Sequence, residues 1–325
     1  MKNTPRDDTG SRGQAAGRHS HLEKQRGAAI ITALFVTALV AASAVAIFVQ
    51  LRIDTRRTEL LTRHTQTYFY ADQTVLWAKN LLINNWKQKQ PDQLIDKLPA
   101  NTNFPTDGTT EITAELTDAQ GLFNLNDLID EKYNDVFLQL LKRIIPEMAP
   151  NDANSLLLAT RAWILPGNTF DDYYAKQTPS YRAAHRLFSS ASEFRLVRGV
   201  TAALYTKLLP FLTALPETTA ININSAPEII LMSLSPTLTA AAAAKSIVTQ
   251  ARSIPFATTN DFLNFDIVKN NAFPSNKITT TSSYFLLKTN VKVGNDSRVI
   301  YTLLQRASKD NNVIVVALWQ SMDTL

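Results

Sequence analysis

The feature that most restricts this chain is a run of 22 residues, Ala28 to Val49, whose only polar members are Thr32, Thr37 and Ser43. At 1.5 Å per residue a helix of that length crosses a hydrocarbon core of ~30 Å, and the three hydroxyls can bond back to their own helix. No Pro or Gly interrupts the sequence from Ala28 to Trp86. Beyond the apolar run, Leu61, Tyr68, Val75 and Leu82 recur every seven residues, with Ala71 and Ala78 between them. The pattern predicts one continuous helix of about 58 residues, the first half in lipid and the second packed on a domain.

Charge sets the orientation. Arg18, Lys24 and Arg26 stand just before the apolar run, which places the N-terminus in the cytoplasm and sends the body across a single-pass anchor; Arg52, Arg56 and Arg57 reduce the asymmetry. Six Lys/Arg and three Asp/Glu precede Ala28, out of 33 and 28 in the chain, so the formal net charge of +5 falls to +2 over the remainder. That balance makes no electrostatic footprint for DNA or RNA. Cysteine is absent, which excludes disulfides, thiolate nucleophiles and Cys-based metal sites. His19 and His21 lie in the leader, and His64 and His185 have no Ser or acid at suggestive spacing. With no phosphate-binding Gly loop either, the chain reads as non-enzymatic.

The junction before the anchor narrows the reading. Basic residues, then Arg26-Gly27, then an uninterrupted apolar helix is the arrangement cut by a prepilin peptidase, here between Gly27 and Ala28. An ordinary signal peptide is the alternative, with Ala42-Ser43-Ala44 as its cleavage site, but the helical pattern does not stop there. Most pilins carry Glu at the fifth mature residue, where the carboxylate pairs with a neighbouring subunit's terminal amine; here that residue is Thr32.

In the body, residues 91–108 read as loop and Glu111 to Leu116 as a half-buried strand. From Asp118 to about Phe273 the pattern is mostly helical, with stripes at Val136, Leu140, Leu141, Ile144 and at Leu156, Leu157, Ala159, Trp163. Strands return over 283–293, 298–306 and 312–319, with turns at Gly294-Asn295-Asp296 and Lys309-Asp310-Asn311. In Asn124-Leu125-Asn126-Asp127 the Leu is expected to anchor in the core while the polar side chains bond nearby amides; Ser225 reads as an N-cap ahead of Pro227 and Glu228. The segment 221–262 resembles a helix-hairpin-helix unit, but its connection Leu234-Ser-Pro-Thr-Leu238 lacks the Gly that brings amides close to phosphate.

Gly27 before the apolar helix, Thr32 in place of Glu, Asp118 to Leu128 with its Phe-Asn-Leu-Asn core, and Tyr181-Arg182-Ala183-Ala184 together resemble a known family. So do Glu193-Phe194-Arg195-Leu196-Val197, Ile221-Asn222-Ile223-Asn224-Ser225-Ala226-Pro227 and the strand region at Tyr284-Phe285. The family is general secretion pathway protein K, a minor pseudopilin of type II secretion.

The resemblance implies an α+β fold in which a pilin-like long N-terminal helix packs on a small antiparallel sheet and a large all-helical domain is inserted into it. The expected organisation is a cytoplasmic leader over 1–27, a transmembrane part over 28–49, a pilin-like domain over 50–120 and 276–325, and the inserted domain over 121–275. It implies N-methylation of Ala28, a bacterial inner-membrane location with a periplasmic body, and a role at the tip of the pseudopilus. The implied partners are I-type and J-type minor pseudopilins, the pseudopilus and its assembly platform, the prepilin peptidase and secreted cargo, with no nucleic acid.

Asp171 and Asp172 fall where the family carries calcium ligands, although Trp163 is followed by Ile164-Leu165-Pro166 where the family usually has an acid. A signal-anchored periplasmic binding module for a ligand or DNA, and a type IV minor pilin, are the alternatives.

Overall fold

The computed structural model describes residues 18–88, 96–97, 110–293, 296–309 and 312–324. Residues 1–17 of the expected leader, most of the 91–108 loop reading, and Gly294, Asn295, Asp310 and Asn311 of the expected turns lie outside them. The chain divides into two units, Met1–Thr65 and Gln66–Leu325.

The first unit is helical from Arg18, within a helix α1 that runs Arg18–Lys87. It therefore begins ten residues before the expected start at Ala28 and passes through Gly27. From Gly27 to Thr65 the side chains are exposed, Arg63 alone being half-buried. The hydroxyls of Thr32, Thr37 and Ser43 each donate to a carbonyl three or four residues back, so none offers a free donor to an apolar environment.

In the second unit the C-terminal part of α1 lies on one face of a five-stranded antiparallel sheet. Its strands are β1 (Asp96–Lys97), β2 (Thr110–Asp118), β7 (Tyr284–Val293), β8 (Asp296–Lys309) and β9 (Asn312–Met322), in the order β1-β2-β7-β8-β9. Val75, Ala78 and Leu82 pack with Leu116, Phe285, Leu287 and Leu304, and Tyr70 and Ala71 with Val291 and Ile300. Ala71 and Ala78 are fully buried, which lets the helix approach the pleat closely, and Thr74 and Thr289 share a hydroxyl hydrogen bond of 2.6 Å. Arg306 fills the far end between the rings of Trp86 (4.8 Å) and Phe285 (5.0 Å). The seven-residue stripe is thus buried at Val75 and Leu82, whereas Leu61 is 70% and Tyr68 37% exposed.

Everything between β2 and β7 forms the inserted body. In chain order it comprises β3 (Phe123–Asn124), α2 (Asn134–Ile144), α3 (Pro150–Ile164), α4 (Asp171–Ala175), α5 (Ala202–Leu208), β4 (Leu212–Thr213) and β5 (Ile221–Asn222). These are followed by α6 (Glu228–Leu234), α7 (Ala241–Ser253), α8 (Thr259–Leu263), α9 (Asp266–Lys269) and β6 (Ile278–Thr279). One core holds it together, from Phe123 and Phe137 through Trp163 and Phe194 to Ile230, Ile247 and Phe262. The body is less helical than its apolar stripes suggest. Residues 176–190 are irregular, and two short parallel bridges, β3 to β4 and β5 to β6, tie distant segments together.

Candidate functional site

Two features stand out: the N-terminal helix with its junction, and the buried polar links that fix the inserted body to the sheet. At the junction, Gly27 lies inside α1, and a side chain built on it would meet nothing within 4 Å. Ile30, Ile31, Leu34, Phe35, Leu39 and Val40 are each more than half exposed. Among the described residues α1 is the one helix long and apolar enough to cross a membrane. Thr32 donates to the carbonyls of Ala28 (3.1 Å) and Ala29 (2.9 Å), leaving position 32 without a charge to present to a neighbour.

The polar links repeat one device. In Phe-Asn-Leu-Asn, Asn124 Oδ1 accepts from the Asn126 amide two residues on (3.1 Å). The Asn126 side chain then accepts from Phe188 N (2.7 Å) and donates to Phe188 O (3.0 Å). In Ile-Asn-Ile-Asn, Asn222 Oδ1 accepts from Asn224 N (3.0 Å), and the Asn224 side chain accepts from Phe256 N (2.9 Å) and donates to Phe256 O (3.0 Å). Each second Asn thereby plays the part of a neighbouring strand, satisfying both backbone groups of one buried Phe far along the chain.

Asp118, the last residue of β2, joins the second of these devices to the sheet. Its Oδ1 accepts from Gln120 N (2.8 Å), and its Oδ2 from Asn222 Nδ2 (2.7 Å), Ser225 Oγ (2.7 Å) and Ser282 Oγ (2.6 Å). Burial raises its carboxyl to about 6, against the pull of these four donors. Ser225 is therefore not the N-cap expected from the sequence. Its hydroxyl is drawn to Asp118, and α6 starts after Pro227 with no side-chain cap. Asp127 is fully buried and accepts from Thr219 N (2.8 Å) and Asn124 Nδ2 (2.9 Å) through Oδ1, while its Oδ2 has no hydrogen-bond partner; burial pushes this carboxyl up to about 8.

The two carboxylates expected to ligate calcium stand together on one short helix. Asp171 and Asp172 form the first turn of α4, and Asp171 Oδ1 lies 3.1 Å from His185 Nε2. His185 Nδ1 faces the Leu165 carbonyl at 2.9 Å. That bond and Asp171 hold the imidazolium and raise its pKa. This pairing was invisible as a spacing, because 14 residues separate the partners. Among the described residues no group of three His, Cys, Asp or Glu could hold a metal, and two carboxylates fall well short of the six or more oxygens calcium takes.

A long N-terminal helix, an antiparallel sheet on its C-terminal part, and a helical body inserted between β2 and β7 define a pilin-like protein with a large insertion. A chain from "The Crystal Structure of the GspK-GspI-GspJ complex from enterotoxigenic Escherichia coli Type 2 Secretion System" shares this fold, with a TM-score of 0.70 at 21% identity over 83% of this chain and 100% of that one. Residues 121–217 match the family described as Type II secretion system (T2SS), protein K. Type II secretion system protein K of Pectobacterium carotovorum is 30% identical over 236 residues, 63% of this chain and 68% of that protein. The same protein of Pseudomonas aeruginosa is 27% identical over 313 residues, 90% and 92% of the two. The chain belongs to the type II secretion system protein K family, and is a minor pseudopilin.

Proposed function

We propose that the chain stands at the tip of the type II secretion pseudopilus, where it initiates or caps assembly during export of folded proteins. In this reading the prepilin peptidase cuts between Gly27 and Ala28 and Ala28 is methylated. Residues 28–49 anchor the protein in the bacterial inner membrane with the N-terminus cytoplasmic, and the body, pilin-like over 50–120 and 276–325 with an inserted domain over 121–275, is periplasmic.

One observation carries the proposal: the apolar side chains of α1 from Ile30 to Ile53 are all exposed. A surface of that size is stable only against lipid or against the equivalent helices of other subunits. The I-type and J-type pseudopilins are the expected neighbours, since the solved relative comes from a complex bearing those names. Thr32 supports a terminal place, because a subunit with no later neighbour needs no carboxylate to meet that neighbour's amine. The assembly platform and secreted cargo complete the expected contacts.

The test is co-expression of the full chain with the host's I-type and J-type pseudopilins, followed by detergent extraction and affinity purification. A stoichiometric ternary complex is expected. Recovery of this chain alone, with the other two present in the membrane, overturns the proposal.

A further inference from the structure

On the inserted body lies a cleft of ≈ 710 Å³, to which neither α1 nor the five-stranded sheet contributes a residue. Its walls come from α3, α5 and the segments that follow α2 and precede α4 and α5, with Ile145, Leu156, Leu158, Phe170 and Leu204 supplying the apolar surface. That volume falls within the roughly 300–1,000 Å³ of small-ligand pockets. Leu158, on the rim, is 60% exposed and so available to a ligand.

Arg198 gives the cleft its chemistry. The guanidinium lies 4.8 Å from the Phe170 ring and 5.4 Å from the Tyr173 ring, and the residue's backbone N–H donates to Tyr174 Oη at 3.2 Å. Gly199 follows at φ +90°, a left-handed turn that suits glycine. A guanidinium stacked on two rings has its position set while its edge donors stay available for a carboxylate, which they can grip in bidentate fashion. Among the described residues no carboxylate pairs with it, whereas the other basic lining residue, Lys207, is engaged by Glu147 at 3.3 Å. Asp152 also lines the cleft, but it is exposed in the first turn of α3, where the helix dipole favours it as it stands. The cleft thus offers one uncompensated, preorganised cation beside an aliphatic wall.

We propose that this cleft binds an extended segment of a secreted protein, seating an aliphatic side chain against Leu156, Leu158 and Leu204 and a carboxylate on Arg198. The carboxylate follows from charge complementarity. The source as secreted protein rests on the tip reading above, and the cleft lies on the inserted body, with no lining residue from α1 or the five-stranded sheet.

The probes are acetyl-Leu-Phe-Glu-Leu-amide and the same peptide with Gln for Glu, titrated by calorimetry onto the full chain in detergent. The Glu peptide is expected to bind about three- to tenfold more tightly than the Gln peptide, the range for one charge-assisted contact on an exposed guanidinium. Arg198→Gln, at an exposed position, should erase that difference, and Leu158→Glu should weaken both peptides. Equal binding of the two peptides to the wild-type chain, or a difference that survives Arg198→Gln, overturns the site. The source is tested separately with a photo-crosslinking residue at Leu158 in secreting cells. Crosslinks to an identified secreted protein, lost on Arg198→Gln, support it, and crosslinks to the I-type or J-type pseudopilin overturn it. The peptide comparison does not depend on pseudopilus assembly, so its failure is distinct from failure of the tip reading.

Discussion

The substitution Asp127→Asn should remove a large part of the body's dependence on pH. In the folded protein this carboxyl is fully buried, one oxygen holding the Thr219 and Asn124 donors and the other meeting no partner. Burial moves it from 3.8 to about 8. The folded chain therefore keeps a proton that the unfolded chain releases above 3.8. The stability this contributes is fully present below that pH and is lost as pH rises through about 8.

Between pH 5 and pH 8 the slope approaches ~1.4 kcal/mol per unit, an upper bound of about 4 kcal/mol, which water penetration and local relaxation reduce to roughly 2–4 kcal/mol. For a body of this size that is a midpoint shift on the order of 10 °C. The carboxamide of the variant keeps an acceptor for both donors at nearly the same volume, and it cannot ionise. Thermal and urea unfolding of the full chain in detergent, followed by Trp fluorescence at pH 5 and pH 8, should show the wild type losing stability with rising pH. The variant should retain only the smaller slopes that Asp118 and the half-buried His185 contribute in the same direction. Identical slopes in the two proteins would mean that Asp127 is not the group whose proton links folding to pH.

Other substitutions test the polar links and the anchor. Gly121→Ala would put a methyl 2.6 Å from Ser225 Oγ and 2.8 Å from its carbonyl oxygen. Because Ser225 is tied to Asp118, the loss should be roughly 2–4 kcal/mol, read as a fall in melting temperature. Asn126→Ala and Asn224→Ala each orphan both backbone groups of a buried Phe, and should each cost roughly 2–5 kcal/mol in urea unfolding. The two Asn residues share no partner, so their effects should add. On the apolar part of α1, Thr32→Ala should leave co-purification with the I-type and J-type pseudopilins unchanged, because the hydroxyl bonds only its own helix, whereas Thr32→Glu should reduce it by adding an uncompensated carboxylate.

The long helix and the late strands were legible because each rests on local periodicity. A run without Gly or Pro announces α1, and alternation announces β7, whose burial pattern follows the pleat. The exposure of Leu61 and Tyr68 was not legible, since a seven-residue apolar repeat does not say where along a helix its partner ends. The Asn-Leu-Asn and Asn-Ile-Asn motifs stood out in the sequence, and the local half of their role could be read: each first Asn bonds the amide two residues on. The long-range half could not. The clasp of Asn126 on Phe188 spans 62 residues, and nothing in a single sequence marks Phe188 as its target. Ser225 shows the same limit from the other side, since a residue that fits an N-cap locally was claimed by a carboxylate 107 residues away. The Asp171 to His185 pairing was hidden for the same reason, and so was Arg198, whose importance depends on two rings brought to it by a separate turn.

Processing and assembly as a pseudopilin leave their clearest mark on the mature N-terminus. Mass spectrometry of the protein from membranes, with and without the host's prepilin peptidase, is expected to find a chain beginning at methylated Ala28 only when the peptidase is present. A chain that begins at Met1, or near Val45 after an ordinary signal cleavage, regardless of the peptidase would rule out pseudopilin processing and favour a simple anchored or secreted binding protein.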